Sequence, residues 1–86
     1  MSLSAPKLQR IAALVDEALD LRGAAAAVRG EFPELRAQVV DALDVRDEQP
    51  AFTVGTRRVY LVACDGHCWQ LTRDPQRAGG VLLAQA

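Results

Sequence analysis

Both cysteines and the only histidine of the chain fall in one short stretch, Cys64-x-x-His67-Cys68. Thiolate and imidazole are the preferred ligands of zinc, which takes four in a tetrahedron. No second Cys/His pair exists, so a closed site would need carboxylates or a second subunit. The bland reading, a core thiol beside a capping imidazole, is the stronger one, because free cysteine is among the most buried residue types. A nucleophilic reading of Cys64 or Cys68 needs an activating base and a third orienting group. His67 is adjacent, but no oxyanion-hole motif accompanies it. Asp41, Asp44, Asp47 and Glu48 form a separate acidic group. They lack the glycine and terminal glutamate of a calcium loop, so a solvated loop is the expectation.

The element that must position the thiols is a hairpin, Arg57 to Thr72. Two β-prone runs flank Asp65-Gly66, a pair suited to a two-residue turn. With those residues as the loop, Cys64 opposes His67, Val62 opposes Trp69 and Tyr60 opposes Leu71. Tyr60, Val62, Cys64, His67, Trp69 and Leu71 then share one face. Val59, Leu61, Ala63, Cys68, Gln70 and Thr72 share the other. Cys64 and Cys68 diverge, which argues for free thiols. The face with the larger side chains is expected to pack on helices, since aromatic burial contributes most to a small core. The lighter face, with Leu61, Cys68 and Gln70, is then the expected surface for a partner or a second copy, unless the 47–56 loop crosses it.

Eighty-six residues make one domain, expected to span 1–86. A chain of this size buries about 60–65% of its unfolded surface. Ten basic and eleven acidic residues give a net charge of −1, which offers no electrostatic case for nucleic acid. Arg57-Arg58 is too small a patch to change that. Residues 1–50 hold six basic and nine acidic residues, and 51–86 hold four and two, which suits internal pairing. No apolar run approaches the roughly 18 residues of a membrane span, and no signal peptide is evident. A cytoplasmic protein without membrane contact is expected, and its thiols should then be reduced.

Leu8, Ile11, Val15, Ala18 and Leu19 recur at helical spacing, predicting a first helix over 6–21 that ends at Gly23. A second helix is expected over 24–32, where Ala24 to Ala27 suit close packing. Residues 34–46 stay ambiguous. Leu35, Val39 and Leu43 have helical spacing, while Arg36 to Asp41 also offers a short strand. Residues 47–56 read as a loop, within which Phe52-Thr53-Val54 is β-prone but short. Asp74-Pro75 predicts one helical turn, and Val81 to Ala84 a final strand.

The stretch His67-Cys68, Leu71-Thr72, Asp74-Pro75 and Gly80-Val81 resembles a small uncharacterised bacterial domain-of-unknown-function family. That family is seen mostly in proteobacteria, with members encoded near nitrogen-fixation genes. In it, the segment after the Phe-Pro pair looks like a strand leading into acidic residues, matching Val39-Val40-Asp41 and Asp44. The resemblance therefore implies a strand at 36–40. Its members carry a cysteine ahead of the acidic residues; this chain has none before Cys64, which counts against a shared metal site. The family brings no activity with it.

The expected fold is α+β: two N-terminal helices on a small antiparallel sheet of three to four strands, in the order ααββββ. Strands are expected near 36–40, 57–64, 67–72 and 80–84. With no phosphate loop, nucleophile constellation or metal set, the expected function is non-enzymatic binding or an accessory role. No cofactor is expected. A protein partner or a homodimer is, with Leu61, Cys64, His67, Cys68, Gln70, Asp41 and Asp44 as the binding candidates. The rival is a metal- or redox-responsive protein using Cys64, His67 and Cys68.

Overall fold

Ser4 opens the first helix. Its hydroxyl accepts from the Lys7 backbone N–H at 3.4 Å, and Pro6 sits in the first turn. The computed structural model describes residues 3–66 and 68–85. Helix α1 spans Ala5–Glu17 and buries Ile11 and Val15. It ends before the expected residue 21 because Asp20 caps a new helix, accepting from the Gly23 N–H at 2.7 Å. Helix α2 is Leu21–Glu31, so Gly23 lies in its first turn and does not terminate α1.

Five strands follow: β1 (Arg36–Val39), β2 (Phe52–Val54), β3 (Arg57–Asp65), β4 (Cys68–Thr72) and β5 (Gly80–Gln85). The strand implied by the family resemblance is β1. Phe52-Thr53-Val54, too short to assign from sequence, becomes β2 because its partner is already in place. The sheet order is β1-β5-β3-β2, with β4 also on β3. β2 meets the start of β3, with Phe52 opposite Val59; β4 meets its end, from Leu61–Thr72 to Asp65–Cys68. These two short strands share one side of β3 in tandem. β5 lines the other side from Arg57–Gln85 to Val62–Gly80.

The architecture is α+β with helices first, but the sheet is mixed and not antiparallel throughout. β1 runs parallel to β5, with Arg36 beside Gly80 and Val39 beside Leu83. Only strands joined by a tight turn are forced antiparallel, and most of the sheet separates these two in sequence. The expected helical turn after Asp74 is a simple turn. Arg77 N–H donates to the Asp74 carbonyl at 3.1 Å and Ala78 N–H to the Pro75 carbonyl at 3.3 Å.

The hairpin register departs from expectation by two residues. Cys64 opposes Trp69 and Val62 opposes Leu71, so the turn begins after Asp65. Gly66 takes a positive φ, 79°, and Asp65 stays in the strand. A shift of two preserves the faces, since side chains alternate with a period of two.

Which face meets the helices is reversed. Val59, Leu61, Val81, Leu83 and Ala37 share one core with Ile11, Val15, Ala24, Ala25 and Val28. The lighter face is therefore the helix face. Its small and branched side chains fit under α2, whose buried contacts are two alanines and a valine and which can lie close to the sheet. On the opposite face, Tyr60 and Ala84 form a second cluster with Val45, the last residue of a short 3₁₀ helix, Ala42–Val45. Cover for the second face thus comes from 40–45, whereas the lighter face, for which the 47–56 loop is the alternative cover in sequence, is occupied by the helices.

Candidate functional site

Among the described residues, the far end of the second face is only partly covered. Trp69 and Leu71 point onto it from β4 and remain 40% and 37% exposed. Val62, opposite Leu71 on the same face, is buried. The Trp69 indole extends toward β5. A Cβ added at Gly79 would lie 3.5 Å from its ring, at ordinary van der Waals contact, so the indole passes close over this backbone. On the far side of the glycine pair, the Arg36 guanidinium stands 5.2 Å from the Trp69 ring centroid, a cation–π contact. Gly80 is the tighter of the two: a Cβ there would come 2.5 Å from the Arg36 carbonyl oxygen, so β1 could not pair so closely.

Below Leu71 the face opens into a groove of about 300 Å³, between the 47–49 segment and the end of β4. Asp47, Glu48 and Gln49 form one wall, and Thr72 and Arg73 the other. Arg73 donates to the Gln49 side chain at 3.0 Å and ties the walls together. Tyr60 lies at its base, with its hydroxyl 3.5 Å from the Val45 carbonyl.

The binding candidates read from the sequence do not converge. Leu61 is 2% exposed and belongs to the helix-side core, so it offers no partner surface. Gln70 and Cys68 are exposed on the helix side of β4, beyond the helices. Cys64 is exposed on the opposite side, where its thiol donates to the Gly66 carbonyl at 3.6 Å. His67 lies outside the described residues. Asp41 caps the 3₁₀ helix through the Leu43 N–H at 2.9 Å, and Asp44 is exposed in its first turn. Both sit where Val40 N–H meets the Leu83 carbonyl, at the other end of the sheet from the hairpin tip. Among the described residues, no three His, Cys, Asp or Glu side chains gather where one ion could be held.

The arrangement presents a flat apolar pair with one cation and suits adhesion. Sequence reasoning named Trp69 but placed it in the core, and it missed Arg36 and the glycine pair. The signal was the low side-chain volume of Ala24 to Ala27. A helix that thin packs against valine and leucine and leaves no depth for an indole.

No curated protein and no solved structure matches the chain. A family model described as a family of unknown function, DUF6129, matches residues 10–86. The chain belongs to that family.

Proposed function

We propose that this member of DUF6129 is a small non-enzymatic binding or accessory protein whose open sheet face docks a protein partner. The observation that carries the reading is the adjacency of Trp69, Leu71 and Arg36 on a partly covered face. Tryptophan and arginine are the side chains most enriched among residues that dominate interface energy. Arg36 is in no ion pair among the described residues, so the fitting partner presents an apolar patch with a carboxylate beside it. The setting proposed for that partner is nitrogen-fixation physiology in a bacterial cytoplasm, which rests on the family resemblance.

The test is capture from native cells, with and without fixed nitrogen, using wild-type, Trp69→Ala and Arg36→Glu baits. A protein held by the wild type and lost from both folded variants supports the reading. Capture that survives both variants sinks it. So does stoichiometric zinc or iron in untagged protein that disappears in His67→Ala, which would favour the metal- or redox-responsive alternative at Cys64, His67 and Cys68.

A further inference from the structure

The two long edges of the sheet are treated differently. On β1, the Arg36 and Val40 N–H groups point inward to the carbonyls of Gly79 and Leu83. Ala37, one residue on from Arg36, therefore points its backbone outward. Its carbonyl is taken by Arg29, which donates at 2.7 Å and blocks that edge. Among the described residues, nothing comparable protects β4. It pairs only with β3, and Cys68-Trp69-Gln70-Leu71-Thr72 contains neither proline nor charge, the usual guards of an exposed strand.

The direction of the β4 backbone follows from two hydrogen bonds. Gly79 N–H donates to the Val62 carbonyl at 2.8 Å, on the β5 side of β3. Ala51 N–H donates to the Val59 carbonyl at 2.8 Å, on the β2 and β4 side. Alternation then directs the backbone groups of Leu61, Ala63 and Asp65 toward β4, and those of Val62 and Cys64 away from it. Thr72, Gln70 and Cys68, opposite the first set, carry the ladder bonds. Leu71 and Trp69, opposite the second set, turn N–H and C=O outward. The residues with open backbone groups are thus the same two whose apolar side chains are exposed.

We propose that β4 pairs antiparallel with β4 of a second copy about a two-fold axis through Gln70. The outward residues lie symmetrically on either side of Gln70. In this register Trp69 opposes the partner's Leu71 and Leu71 opposes the partner's Trp69, and each outward N–H meets an outward carbonyl. Trp69 and Leu71 share a face, so each copy's Leu71 side chain lies beside the stem of the partner's Trp69, whose indole stays folded back over Gly79. The strand is uncharged, so bringing two copies together opposes no like charges within it. A second copy supplies this matched pattern by symmetry, whereas a foreign strand would have to reproduce it. The contact is one short strand per copy, smaller than a standard interface, so the dimer is concentration-dependent. This inference uses the backbone edge of β4 and the docking reading uses the sheet face; Leu71 serves both, and a monomer keeps the open face.

Sedimentation velocity from dilute to near-millimolar protein, with amide exchange by NMR, tests it. The expected result is a mass that doubles with concentration while the Trp69 and Leu71 amides become protected. Leu71→Pro deletes only an outward N–H and leaves the ladder donors of β4 in place. It removes one hydrogen bond per copy, weakening self-association about tenfold or more. Leu71→Lys, which puts charge in the contact, weakens it as well, and Thr53→Lys on β2 leaves it unchanged. Should Leu71→Pro lose its fold by circular dichroism, Leu71→Lys and the wild-type exchange pattern decide. The proposal is overturned by a wild type monomeric throughout, by a dimer that survives both Leu71 variants, or by a dimer whose Trp69 and Leu71 amides exchange as freely as in the monomer. A monomer that still captures a partner through Trp69 would remove this inference and leave the proposed function standing.

Discussion

Arg57, the first residue of β3, donates to the carbonyl of Ala18 at 2.7 Å, just past the end of α1. The same guanidinium reaches the Val15 carbonyl at 2.5 Å and the Leu19 carbonyl at 3.0 Å. One side chain on the sheet thus caps the last turn of a helix that has no basic residue of its own there. Arg57→Ala is expected to cost about 2 kcal/mol, the scale of charged hydrogen bonds. Arg57→Lys should restore little, because a single ammonium does not reproduce the fork. Urea denaturation of the three proteins measures both. A loss under about 0.5 kcal/mol would place the pair among ordinary surface contacts.

The reversed sheet faces make a paired prediction. Leu61→Lys buries an unpaired cation in the helix-side core, at a cost of several kcal/mol against a total stability of about 5–15 kcal/mol. It should not fold. Trp69→Ala removes a side chain that is 40% exposed and should remain folded, with a loss of less than about 2 kcal/mol. Thermal melts by circular dichroism distinguish the two, and the opposite ranking would refute the face assignment.

The two neighbouring glycines should respond differently to one methyl group. Gly80→Ala drives a Cβ into the backbone of Arg36 and should cost about 1–3 kcal/mol, with loss of β1 pairing. Gly79→Ala meets only the Trp69 ring at ordinary contact distance and should be close to neutral. Hydrogen exchange at the Arg36 and Val40 amides reports the difference, because both donate across the β1–β5 seam.

Arg10 and Glu31 join α1 to α2 through a fork, Nε to Oε2 at 2.6 Å and Nη2 to Oε1 at 2.9 Å. Hydrogen bonding from Arg10 holds the Glu31 carboxyl below its ordinary range, and the same bond raises the Arg10 guanidinium. A carboxyl lowered on folding contributes stability above its unfolded value and loses it as pH falls through the folded one. The contribution should therefore be present at neutral pH and fade below the ordinary glutamate range near about 4.3. In Glu31→Gln the acid limb of a stability–pH curve should be shallower. An identical acid limb in the variant and the wild type would show that this pair carries no linked proton.

Most of α1, α2, β3, β4 and β5 was legible because these elements depend on local pattern, whereas periodicity left β1 ambiguous and β2 was too short to assign. The apolar spacing of α1 and the β-prone runs of β3 and β5 depend on nothing distant. The break at Asp20 was not legible, because the apolar spacing runs on to Leu21 and Gly23 is the stronger breaker. The register slip at Asp65-Gly66 was not legible, because a turn can be displaced when β4 gains better pairing further along β3. The parallel placement of β1 was hidden for a related reason, since its partner β5 lies far away in the chain. The candidate site failed on a question of depth. Trp69 looked like core, and only the thinness of α2 shows that the helices seat against Val59 and Leu61.

The position of β5 also governs the order in which the chain can assemble during synthesis. It is the strand that joins β1 to β3, yet it follows every other element in sequence. While residues 80–85 are still inside the ribosome, β1 has no strand to lie beside, and the helix-side core lacks Val81 and Leu83. The β3–β4 hairpin closes locally and can form early, whereas β1 waits for a distant partner. A nascent chain therefore holds the apolar faces of α1 and α2 incompletely covered until β5 emerges, and this interval is when it is most exposed to misassociation or to chaperone capture.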